Sequence, residues 1–578
     1  MQRSVVSLTI ALVAAAAVAA GCGGSSGSSS SSSSSPSTGA APSGQDAAEA
    51  PGPRGGTMIT RANAAPPGSP DPQVNYTAQE WQFLIMTHDG LVGFKRAAGA
   101  EGSKLVPDLA TEVPKPSDDG KTWTFTLRPN IKFSDGQTVT GADVKATFER
   151  LFKIGNSPNS GTWYNVIEGA DACIKKPKSC DLTGGVDASG NTVTFHLTTG
   201  DPEFLQKLAV PFAFILPADT PAKNVDIPPP GTGPYKWTQL EPNKGMKVER
   251  NTFFKEWSKD AQPDGLPDVI EQRFGLSVEA AVTQVENGQA DWVFYGDSIP
   301  SDRLDELSTR FADQVHINPQ PATFYFAFNT RIPPFDNVKA RQAVNFATDR
   351  NALVKLYGGP NLATPTCQVL PPDFPGYKPY CPYTANPGSG KWTAPDMAKA
   401  QQLVEESGTK GMRVKVNSDT TEVDKAYGEY FVGLLNNLGY KATPQFLSND
   451  IQYAYVQNSK NKVQFAYSSW FADYPAASDF LNILLGCDSF HPNSNSSPNI
   501  AAFCHKGIQA NMDKAGATAI EDIDTANTMW EQVDRDVADQ APWVAMFNPK
   551  QLNFTSKRVK SFVFSPQWYF LLAQASVQ

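Results

Sequence analysis

The sequence predicts an α/β fold with at least two domains. Its 578 residues exceed what a single hydrophobic core accommodates. Segments with the alternating apolar pattern of β-strands take turns along the chain with segments whose apolar residues have helical spacing. This alternation is typical of a largely parallel sheet with helices on its faces, and we therefore expect that architecture.

Three elements in the N-terminal half have clear local patterns. Residues 122–127 place alternate apolar side chains on one face, which predicts a strand. Thr140 and Asp143 have the spacing of a capping box, so a helix is expected to begin after Thr140. Residues 192–197 repeat the strand pattern.

Helix and strand patterns continue through the C-terminal half. We predict, in chain order, a helix over 338–357 capped by Asp336, a helix that begins near Asp396 and ends at Gly408, a strand over 412–417, a helix over 423–438, and strands over 442–447 and 463–470. Ligands of open α/β sheets bind beyond the carboxyl ends of the strands. The residues directly after Trp470 are therefore the first candidates for a binding site.

The N-terminal segment predicts export and membrane attachment. A short basic start precedes an apolar run over residues 5–20, which is too short to span a bilayer and is typical of a signal peptide. Residues 19–22 (AAGC) resemble the bacterial lipobox, in which cleavage precedes a cysteine that becomes diacylated. The alternative is an ordinary cleavage site with an incidental cysteine. We predict a signal peptide over 1–21, lipidation of Cys22, and a flexible Ser/Gly/Pro-rich tether over 22–53.

Composition argues against several classes of function. The formal net charge is -9, and the sequence has neither a basic patch nor an arginine-rich run, so we expect no nucleic-acid partner. It contains no P-loop and no dinucleotide-binding glycine pattern, and its five histidines form no known metal-binding motif. We therefore expect neither a cofactor nor a metal ion. No later segment of the sequence is apolar enough to cross a membrane.

The cysteines other than Cys22 fall into three couples, each close in sequence and in a loop-like region. We interpret them as three local disulfides formed in an oxidising compartment. Zinc ligation is the alternative, although paired C-x-x-C spacing is absent and only His505 directly neighbours a cysteine. The couples are Cys173 with Cys180, Cys367 with Cys381, and Cys487 with Cys504.

A series of motifs runs in one order through most of the chain. The motifs are 123–136 (WTFTLRPNIKFSDG), 231–235 (GTGPY), 251–257 with 267–270, 288–291 (GQAD), 334–350, and 470–475 (WFADYP) followed by Asp479 and Phe480. Together they resemble the extracellular solute-binding proteins of the peptide/nickel class of ABC transporters, which include the oligopeptide- and dipeptide-binding receptors.

The resemblance implies a bilobal clamshell of the type II periplasmic-binding-protein class, with the ligand enclosed between two lobes that are joined by two crossing strands. We place these crossings near residues 315–327 and 543–554. Lobe I would then comprise residues 54–320 and 550–578, and lobe II residues 321–549. A ligand favours closure of such a protein because it contacts both lobes only in the closed form.

The resemblance also implies a ligand-binding role for Asp473. In the peptide-binding members, the aspartate of the W-x-x-D motif pairs with the α-ammonium group of the ligand, a directional and charge-assisted contact. The alternative is an aspartate that caps the turn before Pro475. Trp470 and Phe471, which precede it, either stack on the ligand or belong to the core.

Four further residues complete the candidate set. Tyr76 and Trp81 are candidates for the wall of the cleft on the side of lobe I. Tyr467 is expected to pack in the interior. Arg341 is interpreted as a member of a structural ion pair, with the anchoring of a ligand carboxylate as the alternative.

We therefore expect a binding protein and not an enzyme. It would capture peptides outside the cell and deliver them to an ABC permease complex, as a monomer held by its lipid at the outer or periplasmic face of the cell membrane. Within the same fold, the alternatives are oligosaccharides, opines and metal chelates as ligands. An exported lipoprotein hydrolase is the alternative from another class.

Overall fold

Two mixed β-sheets and the helices around them organise the chain. The computed structural model describes residues 52–66, 69–154, 163–294, 299 and 303–578. The predicted signal peptide, Cys22 and nearly all of the predicted tether lie outside these described residues. Up to residue 294, the strands are β1 (Thr57–Arg61), β2 (Val92–Phe94), β3 (Leu105–Pro107), β4 (Thr122–Thr126), β5 (Val186–Ser189), β6 (Thr192–His196), β7 (Tyr235–Glu241), β8 (Gly245–Arg250), β9 (Val269–Arg273) and β10 (Trp292–Val293).

The remaining strands and the α-helices follow in chain order. The strands are β11 (Val315–Pro319), β12 (Ala322–Phe328), β13 (Ala363–Pro365), β14 (Arg413–Asp419), β15 (Lys441–Leu447), β16 (Phe465–Phe471), β17 (Trp543–Phe554), β18 (Phe564–Ser565) and β19 (Tyr569–Phe570). The helices are α1 (Ala78–Thr87), α2 (Gly141–Lys153), α3 (Ala170–Lys175), α4 (Phe204–Leu208), α5 (Val278–Glu286), α6 (Arg303–Arg310), α7 (Val338–Ala347), α8 (Arg350–Tyr357), α9 (Met397–Ser407), α10 (Glu422–Asn437), α11 (Asn449–Gln457), α12 (Ala477–Leu485), α13 (Lys506–Ala519) and α14 (Ile523–Gln540).

The first sheet has the strand order β10-β1-β9-β8-β7. Strand β1 runs parallel to both β9 and β10, whereas β7, β8 and β9 pair in antiparallel fashion. A smaller sheet has the order β4-β6-β5. Trp123 and Phe125 of β4 are buried, as the alternating sequence pattern predicts.

The second sheet has the order β11-β17-β12-β16-β14-β15, with β13 also pairing with β17. Its β14–α10–β15 segment is a parallel crossover unit, and β16 adds to β14 in parallel. However, β12 runs antiparallel to β16, and β17 runs antiparallel to β11, β12 and β13. The prediction of an α/β protein is confirmed, but the prediction of a largely parallel sheet is wrong. In the first sheet, β7, β8 and β9 follow one another in the chain and form antiparallel pairs. In the second sheet, β12 and β17 pair antiparallel with strands distant in sequence.

The two segments predicted as crossings are strands in the structure, β11 and β12 in the first and β17 in the second. Strands β11 and β12 lie on opposite sides of β17, so the chain changes sides at Gln320 and Pro321. Thr555, directly after β17, forms a bridge with Trp292 of β10, which connects the second sheet to the first. The lobe boundaries at 320/321 and 549/550 stay a prediction.

Local capping explains several helix ends. The backbone N–H of Thr140 donates to the Asp143 carboxylate over 2.8 Å, which is half of the predicted capping box. Asp396 accepts from the N–H of Lys399, and Gly408 ends that helix in the left-handed region with φ of 66°.

The predicted helix over 338–357 is instead two helices, α7 and α8. Asn337, and not Asp336, caps α7, because its side chain accepts from the N–H of Lys339 over 2.9 Å. The Asp349 carboxylate accepts from the N–H of Ala352 and begins α8. A second N-cap inside one apolar periodicity therefore divided what the pattern presents as a single helix.

The second sheet is covered on both faces. Phe326 and Phe328 of β12 point into one core with Tyr467, whereas Tyr325 and Ala327 point into another core formed with α12, α13 and α14. Tyr467 is therefore interior packing, as predicted. The largest core contains apolar residues from positions 58–294 and 562–577, together with Tyr474.

All three predicted disulfides are present, and the zinc alternative is therefore wrong. Each closes a short surface loop, and the bond between Cys487 and Cys504 borders the site described below. Among the described residues, no cluster of acidic, histidine or cysteine side chains could hold a metal ion. Within the same part of the chain, no helix is long and apolar enough to cross a membrane.

Candidate functional site

The site is centred on Asp473, just beyond the carboxyl end of β16. Strand β16 stays paired with β12 up to its last residue, because Trp470 and Phe471 pair with Thr323 and Ala322 of β12. The chain then turns, and Ala477 begins α12. The candidate side chain therefore lies where the fold class places ligands, directly after a strand of the sheet.

Three contacts hold Asp473 in place. Its Oδ1 accepts a hydrogen bond from the Tyr76 hydroxyl over 2.6 Å. Its backbone N–H donates to Asp479 Oδ2 over 3.0 Å, and its carbonyl oxygen accepts from Gln567 Nε2 over 2.9 Å. Tyr76 and Gln567 come from opposite ends of the chain, so folding brings three distant segments together at this carboxylate.

A second carboxylate, that of Asp479, lies beside the first. Its side chain is buried, and its Oδ2 also accepts from the indole N–H of Trp470 over 3.2 Å. Burial raises the pKa of Asp473 to about 6, although the hydrogen bond from Tyr76 acts in the opposite direction. Burial and the neighbouring Asp473 carboxylate raise the pKa of Asp479 well above its usual value.

No described residue supplies a cation to this pair of carboxylates. Two neighbouring acidic groups without a counter-ion, one of them buried, are costly to ionise together. A ligand that brings a positive charge relieves that cost, and Asp473 is therefore suited to bind an ammonium group.

Two cavities meet at Tyr76 and Asp473. The smaller cavity, of about 200 Å³, is lined among others by Trp81, Phe471 and Trp568. The larger cavity has a volume of about 610 Å³. Its lining includes Trp163, Glu203, Lys207, Trp470, Tyr474 and Asp479, with Asp488, His491 and Asp513 farther out. The volume of the larger cavity is typical of small-molecule sites.

The structure thus brings all five predicted site residues together around Asp473. Tyr76 keeps 47% of its surface exposed and contacts the edge of Trp163. Trp81 is mostly core, because its indole N–H donates to the Asn75 carbonyl and its ring packs on Trp568. Trp81 still lines the smaller cavity.

Sequence reasoning missed several residues of this site. Tyr474 is buried in the largest core, and its hydroxyl donates to Glu203 Oε2 over 3.0 Å. Glu203 also lies 3.8 Å from Lys207. Asp479 did carry a signal, since it belongs to the last motif of the series, whereas the aromatic and charged residues before α4 carried none.

Arg341 has a structural role and is not a wall residue of either cavity. Its guanidinium donates to the backbone carbonyls of Phe335 and Gln540 over 2.8 and 2.7 Å. The predicted ion pair is therefore replaced by hydrogen bonds to backbone oxygens, and these bonds join α7 to the end of α14.

Comparison with known proteins identifies the family. Residues 104–491 match the family model described as "Bacterial extracellular solute-binding proteins, family 5 Middle". The chain belongs to this family. As a member, it is the substrate-binding component of an ABC transporter, with a small-molecule ligand and an ABC permease as partners, and it is not an enzyme. The hydrolase alternative is therefore wrong.

Two relatives illustrate the sequence similarity. The glutathione-binding protein GsiB of Salmonella paratyphi A is 26% identical over 493 residues, which cover 83% of this chain and 88% of that protein. GsiB of Escherichia coli (strain K12) is 27% identical over 493 residues, which likewise cover 83% of this chain and 88% of that protein. The family is extracellular or periplasmic, in agreement with the predicted export.

Three solved structures show the same fold. Clavulanic acid biosynthesis oligopeptide binding protein 2 has a TM-score of 0.82 at 23% identity and covers 91% of this chain and 96% of its own. The unliganded open form of the periplasmic murein tripeptide binding protein MppA has a TM-score of 0.72 at 22% identity, with shares of 90% and 97%. Haemophilus influenzae OppA in complex with the peptide RPPGFSPFR has a TM-score of 0.62 at 22% sequence identity. The match covers 90% of this chain and 98% of OppA. The predicted type II clamshell fold is confirmed.

Proposed function

We propose that this solute-binding protein captures short peptides with a free α-amino group and delivers them to its permease. The observation that carries the proposal is Asp473, a carboxylate held by Tyr76 at the meeting point of two cavities without any cation among its described neighbours. An α-ammonium group is a compact cation with three donors, and it would form a charge-assisted contact with this carboxylate.

Four aromatic side chains would form the walls around the first residue of the ligand: Trp470, Phe471, Tyr76 and Trp81. Each lines one of the two cavities or both. Aromatic walls shield the ion pair from water, which strengthens it relative to the same pair in solution. Known proteins of the same fold support a peptide ligand, since OppA of Haemophilus influenzae is described with one.

Glutathione is the second candidate ligand. The relatives named as glutathione-binding proteins favour it. Glutathione has one free α-amino group, so Asp473 would pair with it in the same way. An oligosaccharide would leave Asp473 without a cation, and this observation argues against that ligand.

Substitution of Asp473 tests the proposal. We expect Asp473→Asn to weaken binding of free-amino tripeptides and of glutathione by about tenfold or more, because a charge-assisted contact is lost. N-acetylated tripeptides, which cannot pair with a carboxylate, should bind both proteins equally weakly. Titration calorimetry measures the affinity of the wild type and of the variant for each of these ligands. Equal affinities of the two proteins for the free-amino ligands would contradict the proposal.

The natural ligand can be identified directly. Unfolding of the purified protein releases any solute that was captured in the cell, and mass spectrometry then distinguishes peptides from glutathione. A set of short peptides would support the first candidate, and glutathione alone the second. A sugar or an opine as the only released solute would contradict both.

We also propose that the protein is a monomer anchored to the membrane by a diacylated Cys22. Residues 23–53 consist mostly of Ser, Gly, Ala and Pro, which suits a leash between the lipid and the folded chain. With Cys22→Ser, we expect the protein to move from the membrane fraction to the medium or periplasm. An unchanged distribution would contradict lipid anchoring.

A further inference from the structure

The larger cavity carries more negative charge than one ammonium group can balance. Its described wall contains five carboxylates: Glu203, Asp473, Asp479, Asp488 and Asp513. Lys207 is the lysine of this wall, and it is already engaged, since its Nζ lies 2.7 Å from Asp201 and 3.8 Å from Glu203. The smaller cavity differs, because Asp473 is the acidic residue of its described wall.

The inner carboxylate of this group has an unused acceptor. Asp479 is 1% exposed, and both of its hydrogen bonds, from Trp470 and from the backbone of Asp473, go to Oδ2. No described residue donates to its Oδ1. This oxygen is therefore available as an acceptor for water or for a ligand.

The two outer carboxylates are held together on one wall. Asp488 follows Cys487, whose disulfide with Cys504 closes the loop. Gln509 of α13 links this loop to Asp513, because its Oε1 accepts from the Cys487 N–H over 2.6 Å and its Nε2 donates to Asp513 Oδ1 over 2.7 Å. The disulfide loop and α13 thus contribute two exposed carboxylates to the cavity that Trp163 and Trp470 also line.

We propose that the larger cavity receives the side chain of the first residue of the ligand, and that this side chain is basic. The inference rests on the proposed function, because Asp473 must first hold the α-ammonium group at the entrance of the cavity. The aliphatic stem of a lysine or arginine would lie along Trp163 and Trp470, and its charged end would reach the carboxylates beyond them.

Three tripeptides that differ in their first residue test this inference: Lys-Ala-Ala, norleucine-Ala-Ala and Glu-Ala-Ala. Norleucine keeps a linear aliphatic stem but removes the charge. By calorimetry at low ionic strength and pH 7.5, we expect the lysine peptide to bind about tenfold more tightly than the norleucine peptide, and the glutamate peptide to bind weakest. Added salt should reduce the preference, because the outer carboxylates are exposed.

A double variant tests which residues cause the preference. With Asp488→Asn and Asp513→Asn, the ratio of the lysine to the norleucine affinity should fall by about threefold or more. Asp536→Asn is the matched control, since Asp536 of α14 also accepts an exposed hydrogen bond from a glutamine four residues earlier, but it lies outside the cavity. The control should keep the wild-type ratio.

The outcomes separate this inference from the proposed function. If the lysine and norleucine peptides bind equally, but both lose affinity with Asp473→Asn, the basic side chain is refuted and the peptide function stands. If the preference exists but survives the double variant unchanged, the outer wall does not cause it, and the inference is refuted. If none of the three peptides binds, the inference and the peptide ligand are both refuted, and glutathione is left as the candidate.

Discussion

Two aspartates in this protein have opposite surroundings. Asp71 is fully buried, and both of its carboxylate oxygens accept from the guanidinium of Arg150, over 3.1 and 2.6 Å. Arg150 also donates to Gln73 Oε1 over 2.6 Å. Asp473 has a tyrosine hydroxyl where Asp71 has a guanidinium. One carboxylate therefore has its counter-ion within the protein, and the other has none among the described residues.

The comparison separates a structural charge from a binding charge. When both charges of a buried ion pair belong to the protein, a substitution that removes one of them leaves the other buried without a counter-ion. Such a substitution is strongly destabilising. A carboxylate without a partner lowers the stability of the empty protein and gains its partner when the ligand arrives. The predictions below test this distinction through folding stability, pH dependence and a single hydrogen bond.

The largest expected effect is on folding. Arg150→Met should lower the free energy of unfolding by about 3–5 kcal/mol, because it leaves Asp71 buried without a counter-ion. Asp473→Asn should leave the stability of the ligand-free protein unchanged or raise it, since no cation is lost. Urea denaturation at pH 7.5, followed by tryptophan fluorescence, measures both variants.

Arg303→Met is the control for the loss of an arginine. Arg303 forms ion pairs with three glutamates, Glu279, Glu286 and Glu306, but near the surface. Its loss should cost about 1 kcal/mol or less. A similar large loss for Asp473→Asn and Arg150→Met would show that Asp473 is structural, and the distinction would then fail.

The pH dependence of binding should follow the titration of Asp473. Its pKa is raised to about 6 by burial, beside Asp479 and the Tyr76 hydroxyl, so the ligand-free protein holds a proton there below that pH. An ammonium ligand must displace this proton, and its affinity should fall by about tenfold per pH unit below pH 6. Calorimetry between pH 4.5 and 8 in buffers of different ionisation enthalpy would detect the released proton.

The same titration affects the ligand-free protein in the opposite direction. A carboxyl group whose pKa is higher in the folded than in the unfolded state contributes stability at low pH, and that contribution is lost as pH rises through the folded pKa. The wild type should therefore lose stability relative to Asp473→Asn between about pH 4 and 6. An identical pH profile of stability and of binding for the two proteins would contradict the assignment.

Local signals predicted much of the fold. Caps such as Asp396 and Gly408, and the alternation of β4, act within a few residues, and the structure contains them where the sequence places them. Strand direction was not predictable, because β12 and β17 meet across more than two hundred residues of sequence and no local pattern records such pairing. The split between α7 and α8 was missed for a different reason, since one apolar face continues through both helices.

The candidate site divides in the same way. Asp473 and Trp470 belong to one continuous sequence motif, and Asp479, which lies beside Asp473 in the structure, is only six residues farther along the chain. Glu203 and Tyr474 meet only after folding, across 271 positions of the chain. Tyr474 belongs to the same motif as Asp473, but Glu203 has no local feature that indicates a cavity, so sequence reasoning found the centre of the site and missed Glu203.

The smallest expected effect concerns the hydrogen bond that Tyr76 donates to Asp473. Burial and the neighbouring Asp473 carboxylate raise the pKa of Tyr76, so its hydroxyl stays protonated and available as a donor. Tyr76→Phe should weaken peptide binding by about 0.5–1.5 kcal/mol, because it frees the carboxylate to rotate. It should also move the midpoint of the pH dependence upward, since that hydrogen bond holds the pKa of Asp473 down.

The shift of the midpoint distinguishes a positioning role from a loss of packing. Tyr380→Phe is the matched control, because Tyr380 donates to the exposed Asp539 over the same distance of 2.6 Å and lies outside both cavities. It should change neither the affinity nor the midpoint. If Tyr76→Phe weakens binding but leaves the midpoint in place, then Tyr76 acts as wall surface alone, and the Asp473 carboxylate is set by its burial without help from the hydroxyl.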